Sequence, residues 1–182
     1  MPHWSADLFT SAWKFAAQAH GAQKVPGSEL PYIAHVGNVA MEVMTAIARR
    51  GDVKRPDLAV QCALLHDVVE DTPVTCDELE ARFGTAIAAG VAALTKSPGA
   101  GTKAEKMADS LTRIQAQPPE VWMVKLGDRI TNLQPPPAPW TRDKIAAYQQ
   151  EARAIHAALA SACPVLGPRL WAKIETYAVH LD

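Results

Sequence analysis

Apolar residues recur along this chain at helical spacing. Val36, Val39, Ala40, Val43, Met44 and Ile47 fall at i, i+3, i+4, i+7, i+8 and i+11, one face of an amphipathic helix. That segment ends on Arg49-Arg50-Gly51, which sets positive charge on the negative end of the helix dipole and a glycine just past it. Upstream, Phe9, Trp13, Ala16 and His20 lie one or two turns apart behind Ser5, a suitable N-cap. Pro56 opens a third helix, expected to run through residues 58–71. Thr75 with Glu78 predicts a capping box for a short fourth helix that stops at Phe83-Gly84. Further helices are expected near 85–95, 104–116, 119–133, 141–160 and 168–181. The last two carry the core stripes Ile145, Tyr148, Ala152, Ile155, Leu159 and Leu170, Ile174, Tyr177, Leu181. No alternating run of β-branched residues with hairpin turns occurs, and the segments 21–31, 97–102 and 134–139 read as loops on their glycines and prolines. The expected fold is all-α, one compact domain over residues 1–182 built from roughly eight to ten helices.

Composition narrows the function. The chain has 182 residues, 48% hydrophobic and 20% charged, ordinary for a globular protein. Its 18 basic and 19 acidic residues leave a net charge of −1, so no global electrostatic case exists for a nucleic-acid partner or an anionic membrane. No run approaches the length of a membrane span, and the N-terminus lacks the layout of a signal peptide. Cys62, Cys76 and Cys163 are scattered, without a C-x-x-C pair, which suits reduced thiols. A cytoplasmic protein is expected, and homo-oligomer formation is compatible with the sequence.

The chemistry concentrates in residues 64–72, "LLHDVVEDT". Nine of the twelve residues 58–69 are apolar, yet the segment closes on His66, Asp67, Glu70 and Asp71. Anions at a helix C-terminus oppose the dipole by about 0.3–1 kcal/mol each. On helical spacing His66 pairs with Glu70 and Asp67 with Asp71. An isolated His-Asp pair reads as a hydrogen-bonded core histidine beside a solvated carboxylate. Three acids and an imidazole within six residues, after such an apolar run, favour a bound cation, which would cancel dipole and repulsion penalties together. Two further donors stand out: His35, at the mouth of the second helix, and Asp128, in a polar stripe with Lys125 and Asn132 beside the apolar stripe Trp122, Leu126, Ile130 and Leu133. Lys125 and Asp128 alone would be an ordinary helical salt bridge. Two imidazoles and two carboxylates, with no thiolate, suit Mn²⁺, Fe²⁺ or Zn²⁺.

The order His35, His66-Asp67, Asp128 resembles the HD-domain metal-dependent phosphohydrolases. More narrowly, "AAQAHGAQ" (16–23), "PYIAH" (31–35), "ALLHDVVEDT" (63–72), "FGTAIAAGVAALTK" (83–96) and "VKLGDRITNL" (124–133) resemble the hydrolase domain of RelA/SpoT proteins and its stand-alone form, the small alarmone hydrolases. The resemblance implies Mn²⁺ held by His35, His66, Asp67 and Asp128, with Glu70 and Asp71 orienting or deprotonating the attacking water. It implies a nucleotide substrate contacted by Lys24, Lys96, Asn132 and Tyr148; Lys106, in the basic cluster Lys96, Lys103, Lys106 and Arg113, is a further candidate for its phosphates, the alternative being a solvated helix face. Asn132 would line the nucleotide pocket, Tyr148 would lie near the sugar and Lys96 would face the phosphates. The implied reaction removes the 3′-pyrophosphate of guanosine tetra- or pentaphosphate, giving pyrophosphate and GDP or GTP.

The chain departs from that pattern at Val25-Pro26, where a basic pair is usual and only Lys24 remains, at Val36, where proline is common, and at Thr131, where an aromatic or histidine is usual. None is a ligand position. Nothing resembles a synthetase half. Two other readings share the site: a phosphatase acting on NADPH or on adenine alarmones, and a catalytically silent module that binds nucleotide.

Overall fold

The computed structural model describes residues 3–96 and 101–181. Among them run ten α-helices: α1 (Ala6–His20), α2 (Tyr32–Arg50), α3 (Pro56–Leu65), α4 (Val68–Asp71), α5 (Cys76–Phe83), α6 (Thr85–Leu94), α7 (Lys103–Gln115), α8 (Pro119–Asn132), α9 (Arg142–Leu159) and α10 (Leu166–Tyr177). Short 3-10 turns follow at Ala160–Ala162 and Ala178–Leu181. The all-α expectation holds: among the described residues there is no strand, only an isolated bridge from Lys24 to Pro31 that closes the base of the 21–31 loop. Of the loop expected over 97–102, residues 97–100 lie outside the described residues.

Helix ends follow local chemistry. The Ser5 hydroxyl accepts the Leu8 amide (3.3 Å), and Gly51 leaves α2 at φ +69°, a left-handed turn that glycine makes without a Cβ clash. Thr75 accepts the Glu78 amide as a one-sided cap. The reciprocal box forms instead between Thr102 and Glu105, ahead of α7, a pairing not read from the sequence.

At the centre lies α3, whose residues 58–65 are all buried. It packs against α1, α2, α6 and α8, while α8 also lies against α2, α9 and α10. This arrangement brings the start of α2, the end of α3 and the C-terminal half of α8 together. Side chains at two helix contacts are pared to hydrogen. Gly90 of α6 packs where a Cβ would come within 2.8 Å of Cys62 Sγ on α3, and Gly127 faces Val43 of α2 directly before Asp128.

One expectation is corrected. The third helix does not run through residue 71; it stops at Leu65 and a single turn, α4, resumes at Val68. The cause is local. Nδ1 of His66 donates to the Ala63 carbonyl (2.9 Å), and Asp67 sits at φ −106°, ψ −2°, near the bridge region outside regular helix. Glu70 and Asp71 therefore close a four-residue turn, not the end of a long dipole, and their electrostatic penalty is smaller than a continuous helix would impose. The break also frees His66 and Asp67 to point into the junction of α2 and α8.

Candidate active site

At that junction the donors converge. One ligand atom each from His35, His66 and Asp128 lies within 4.8 Å of the others. Nε2 of His35 is 3.6 Å from Asp128 Oδ1 and 3.7 Å from Asp67 Oδ2; Nε2 of His66 is 2.9 Å from Asp67 Oδ2 and 3.9 Å from Asp128 Oδ1. Asp67 thus abuts the three-atom cluster through both imidazoles. All four residues come from the break after α3, the first turn of α2 and the third turn of α8, so the fold, not sequence proximity, assembles them.

The electrostatics call for a cation. With its proton on Nδ1 for the Ala63 carbonyl, a neutral His66 turns the Nε2 lone pair toward carboxylate oxygens, acceptor against acceptor. Nε2 of both His35 and His66 is buried without a hydrogen-bond partner. Burial alone would lower the His66 pKa, but Asp67 and Asp128 outweigh it and push it up to about 9. Burial likewise works to raise Asp67, yet His66 and the Tyr32 hydroxyl hold it down at about 2. Against its burial, Asp128 is held well below the usual carboxylate range by Lys125 first, then by His35 and His66.

Neighbours fix each carboxylate. The Tyr32 hydroxyl donates to Asp67 Oδ2 (2.5 Å). Lys125 Nζ meets Asp128 Oδ2 (3.0 Å) and Asn132 Nδ2 meets Asp128 Oδ1 (2.5 Å). Glu70 accepts the Lys96 ammonium on Oε1 (2.6 Å) and the Lys96 backbone N–H on Oε2 (3.0 Å). Together these groups line a polar cavity of about 170 Å³, with Asp67, Glu70, Asp71 and Asp128 against Lys96 and Lys125. Four acids to two lysines is a cation's environment.

A second cavity, about 570 Å³, adjoins it. Its walls are mostly apolar: Val25, Pro26, Leu30, Pro135, Pro136, Pro137, Trp140, Tyr148 and Tyr177, with His35, Asn38 and Asn132 among its polar members. Asn132 lines both cavities. The Arg129 guanidinium lies 4.4 Å from the centre of the Tyr148 ring, and Trp140 meets that ring edge-on. Among the expected substrate contacts, Lys96, Asn132 and Tyr148 therefore reach a cavity. Lys24 instead pairs with Glu29 on the 21–31 loop, and Lys106 is exposed on α7; neither lines either cavity.

A scan against family models matches the HD domain over residues 12–166. The chain belongs to the HD-domain family. Its relatives include the guanosine-3′,5′-bis(diphosphate) 3′-pyrophosphohydrolase MESH1 of Mus musculus, 32% identical over 79% of this chain and 79% of the relative, and the MESH1 of Homo sapiens with the same identity and coverage. The guanosine-3′,5′-bis(diphosphate) 3′-pyrophosphohydrolase of Aquifex aeolicus is 34% identical over 70% of this chain, which spans 18% of that longer relative. Among solved structures, that of a metazoan SpoT ortholog that hydrolyzes ppGpp superposes with a TM-score of 0.80 over the full length of both chains at 23% identity. This is agreement in fold.

An HD domain implies a divalent cation, and the donor set fits one: two buried imidazole nitrogens without hydrogen-bond partners, converging with a carboxylate oxygen of Asp128. The HD centre also recruits residues that sequence reading assigned no role there. Tyr32 carried no signal beyond lying in "PYIAH". Trp140 and Tyr177 reach the second cavity from far along the chain, and spacing within one helix cannot reveal such convergence. No helix among the described residues is long and apolar enough to cross a membrane.

Proposed function

We propose that this HD domain hydrolyses guanosine tetra- and pentaphosphate at the 3′-pyrophosphate, releasing pyrophosphate and GDP or GTP, an alarmone-degrading activity of the stringent response. The observation that carries the proposal is the pairing of a cation-ready His/Asp centre with the carboxylates Glu70 and Asp71 in one polar cavity, in a chain whose relatives of comparable length bear that activity in their names. His35, His66, Asp67 and Asp128 would hold the cation, and the mixed nitrogen and oxygen donors suit Mn²⁺, with Fe²⁺ or Zn²⁺ as substitutes. When bound, such a cation supplies Lewis-acid polarisation of a phosphoryl oxygen and a lowered pKa for water within its reach.

The chain's own residues do the rest. Asp71 takes the proton of the attacking water while Glu70, held by Lys96, orients it. The water oxygen bonds to the phosphorus next to the ribose. The P–O3′ bond breaks, and the 3′ oxygen keeps the bonding pair and gains a proton. Lys96 and Lys125 offset charge on the pyrophosphate, and the nucleoside rests in the adjoining cavity against Tyr148 and Asn132. The free thiols of Cys62, Cys76 and Cys163 fit a cytoplasmic setting.

The test is a panel of guanosine tetraphosphate, its adenine analogue and NADPH with Mn²⁺-loaded protein and product identification. Pyrophosphate from the guanosine substrate is expected. Orthophosphate from NADPH alone would reassign the substrate, and no turnover of any of the three would remove the enzymatic reading. Asp128→Ala should lose metal and activity together, whereas Glu70→Gln should bind metal and lose turnover.

A further inference from the structure

Asp71, exposed at the end of α4, has a side-chain partner on another segment. Its Oδ2 accepts a hydrogen bond from the Gln23 side-chain amide (Nε2, 3.0 Å), and Gln23 Oε1 lies 2.8 Å from Nδ1 of His20. Gln23 is itself pinned at both backbone ends, its N–H donating to the His20 carbonyl and its carbonyl accepting from Tyr32 (2.8 Å each). His20 is 5% exposed at the C-terminal turn of α1, with its ring 4.8 Å from that of Tyr32.

The chemistry of these groups dictates the proton positions. A carboxylate only accepts, so the NH₂ of Gln23 faces Asp71 and its carbonyl oxygen faces His20. An acceptor facing His20 requires a proton on Nδ1; Nε2 is buried with no partner, so a proton placed there would find no acceptor. We infer that His20 and Gln23 form a positioning relay that holds the Asp71 carboxylate in the orientation from which it takes the proton of water. Neither residue lines the polar cavity, so each acts through Asp71 and not on substrate. The inference rests on the role given to Asp71 under Proposed function. Groups that orient a functional side chain from behind typically change activity by about 10- to 100-fold when removed.

Three measurements test this. In metal-free protein, ¹⁵N NMR of the imidazoles should report His20 as the Nδ1–H tautomer; the Nε2–H tautomer would overturn the relay without reference to activity. With guanosine tetraphosphate and Mn²⁺, Gln23→Met should lower kcat by about tenfold or more while KM and metal affinity stay near wild type. His20→Phe should behave alike, and His20→Asn, which returns an N–H near the Nδ1 position, should recover most of the loss. Finally, Gln23→Met should add little in an Asp71→Asn background, because both changes remove one function. A wild-type kcat in Gln23→Met beside an inactive Asp71→Asn sinks the relay and leaves the role of Asp71 standing. An active Asp71→Asn sinks that role, and the relay with it. A Gln23→Met loss that multiplies fully with that of Asp71→Asn identifies a merely structural residue and also overturns the proposal.

Discussion

At the scale of single residues, the site is governed by where one proton sits. Without a cation, His66 carries a proton on Nε2 because Asp67 and Asp128 together overcome its burial and push its pKa up to about 9. A cation bound by His66 must displace that proton. Metal affinity should therefore rise about tenfold per pH unit between pH 7 and 9 and level off above, with close to one proton released at neutral pH, measurable by calorimetry in buffers of different ionisation enthalpy. Affinity independent of pH over that range would contradict the assignment of His66 as a ligand. The same shift has a sign for stability. A pKa raised above the ordinary 6.5 stabilises the metal-free fold fully below pH 6.5, and the contribution fades as pH rises through 9. Asp67 runs the other way, contributing above the ordinary 3.8 and ceasing to do so as pH falls through about 2.

At the scale of elements, the site depends on how closely helices approach. Alanine is a better helix former than glycine by about 1 kcal/mol, yet Gly90→Ala should destabilise the protein. The new Cβ would fall 2.8 Å from Cys62 Sγ in a filled core, where overpacking costs about 1–3 kcal/mol. Thermal unfolding should show the loss, and Cys62→Ala in the same chain should recover part of it by vacating the sulfur. Much at this scale was legible in the sequence. The stripe of α2, its Arg-Arg-Gly ending and the buried run of α3 all follow from spacing, and the acidic cluster on an apolar segment pointed to His66 and Asp67. What escaped was decided by partners outside the local window. The break at His66–Asp67 depends on a ring-to-carbonyl bond that competes with helix continuation. Lys24 pairs with Glu29 across a turn and lines neither cavity, and the Thr102–Glu105 box lies in a stretch where the expected helix start was one residue late.

At the scale of the whole molecule, the proposed ligands stand at positions 35, 66, 67 and 128, on α2, on the break after α3 and on α8. A cation that binds only the folded chain joins all three, and at one hundred times its Kd adds about 2.7 kcal/mol to stability. For a protein of this size that is a rise of roughly 5–11 °C in Tm. Differential scanning fluorimetry should show the rise with Mn²⁺, its reversal by chelator and its absence in His35→Ala. The two cavities carry a further consequence. The proposed cation ligands and the two acids proposed to handle water stand on helices and their ends, while much of the second cavity is walled by loop residues, Val25, Pro26, Leu30, Pro135, Pro136, Pro137 and Trp140, and by Tyr177 at the end of α10. Asn132 stands on the seam between them. Divergence within such a lineage can reshape the loop walls, and so the nucleoside admitted, one proline or aromatic at a time, while the hydrolytic machinery passes unchanged from ancestor to descendant.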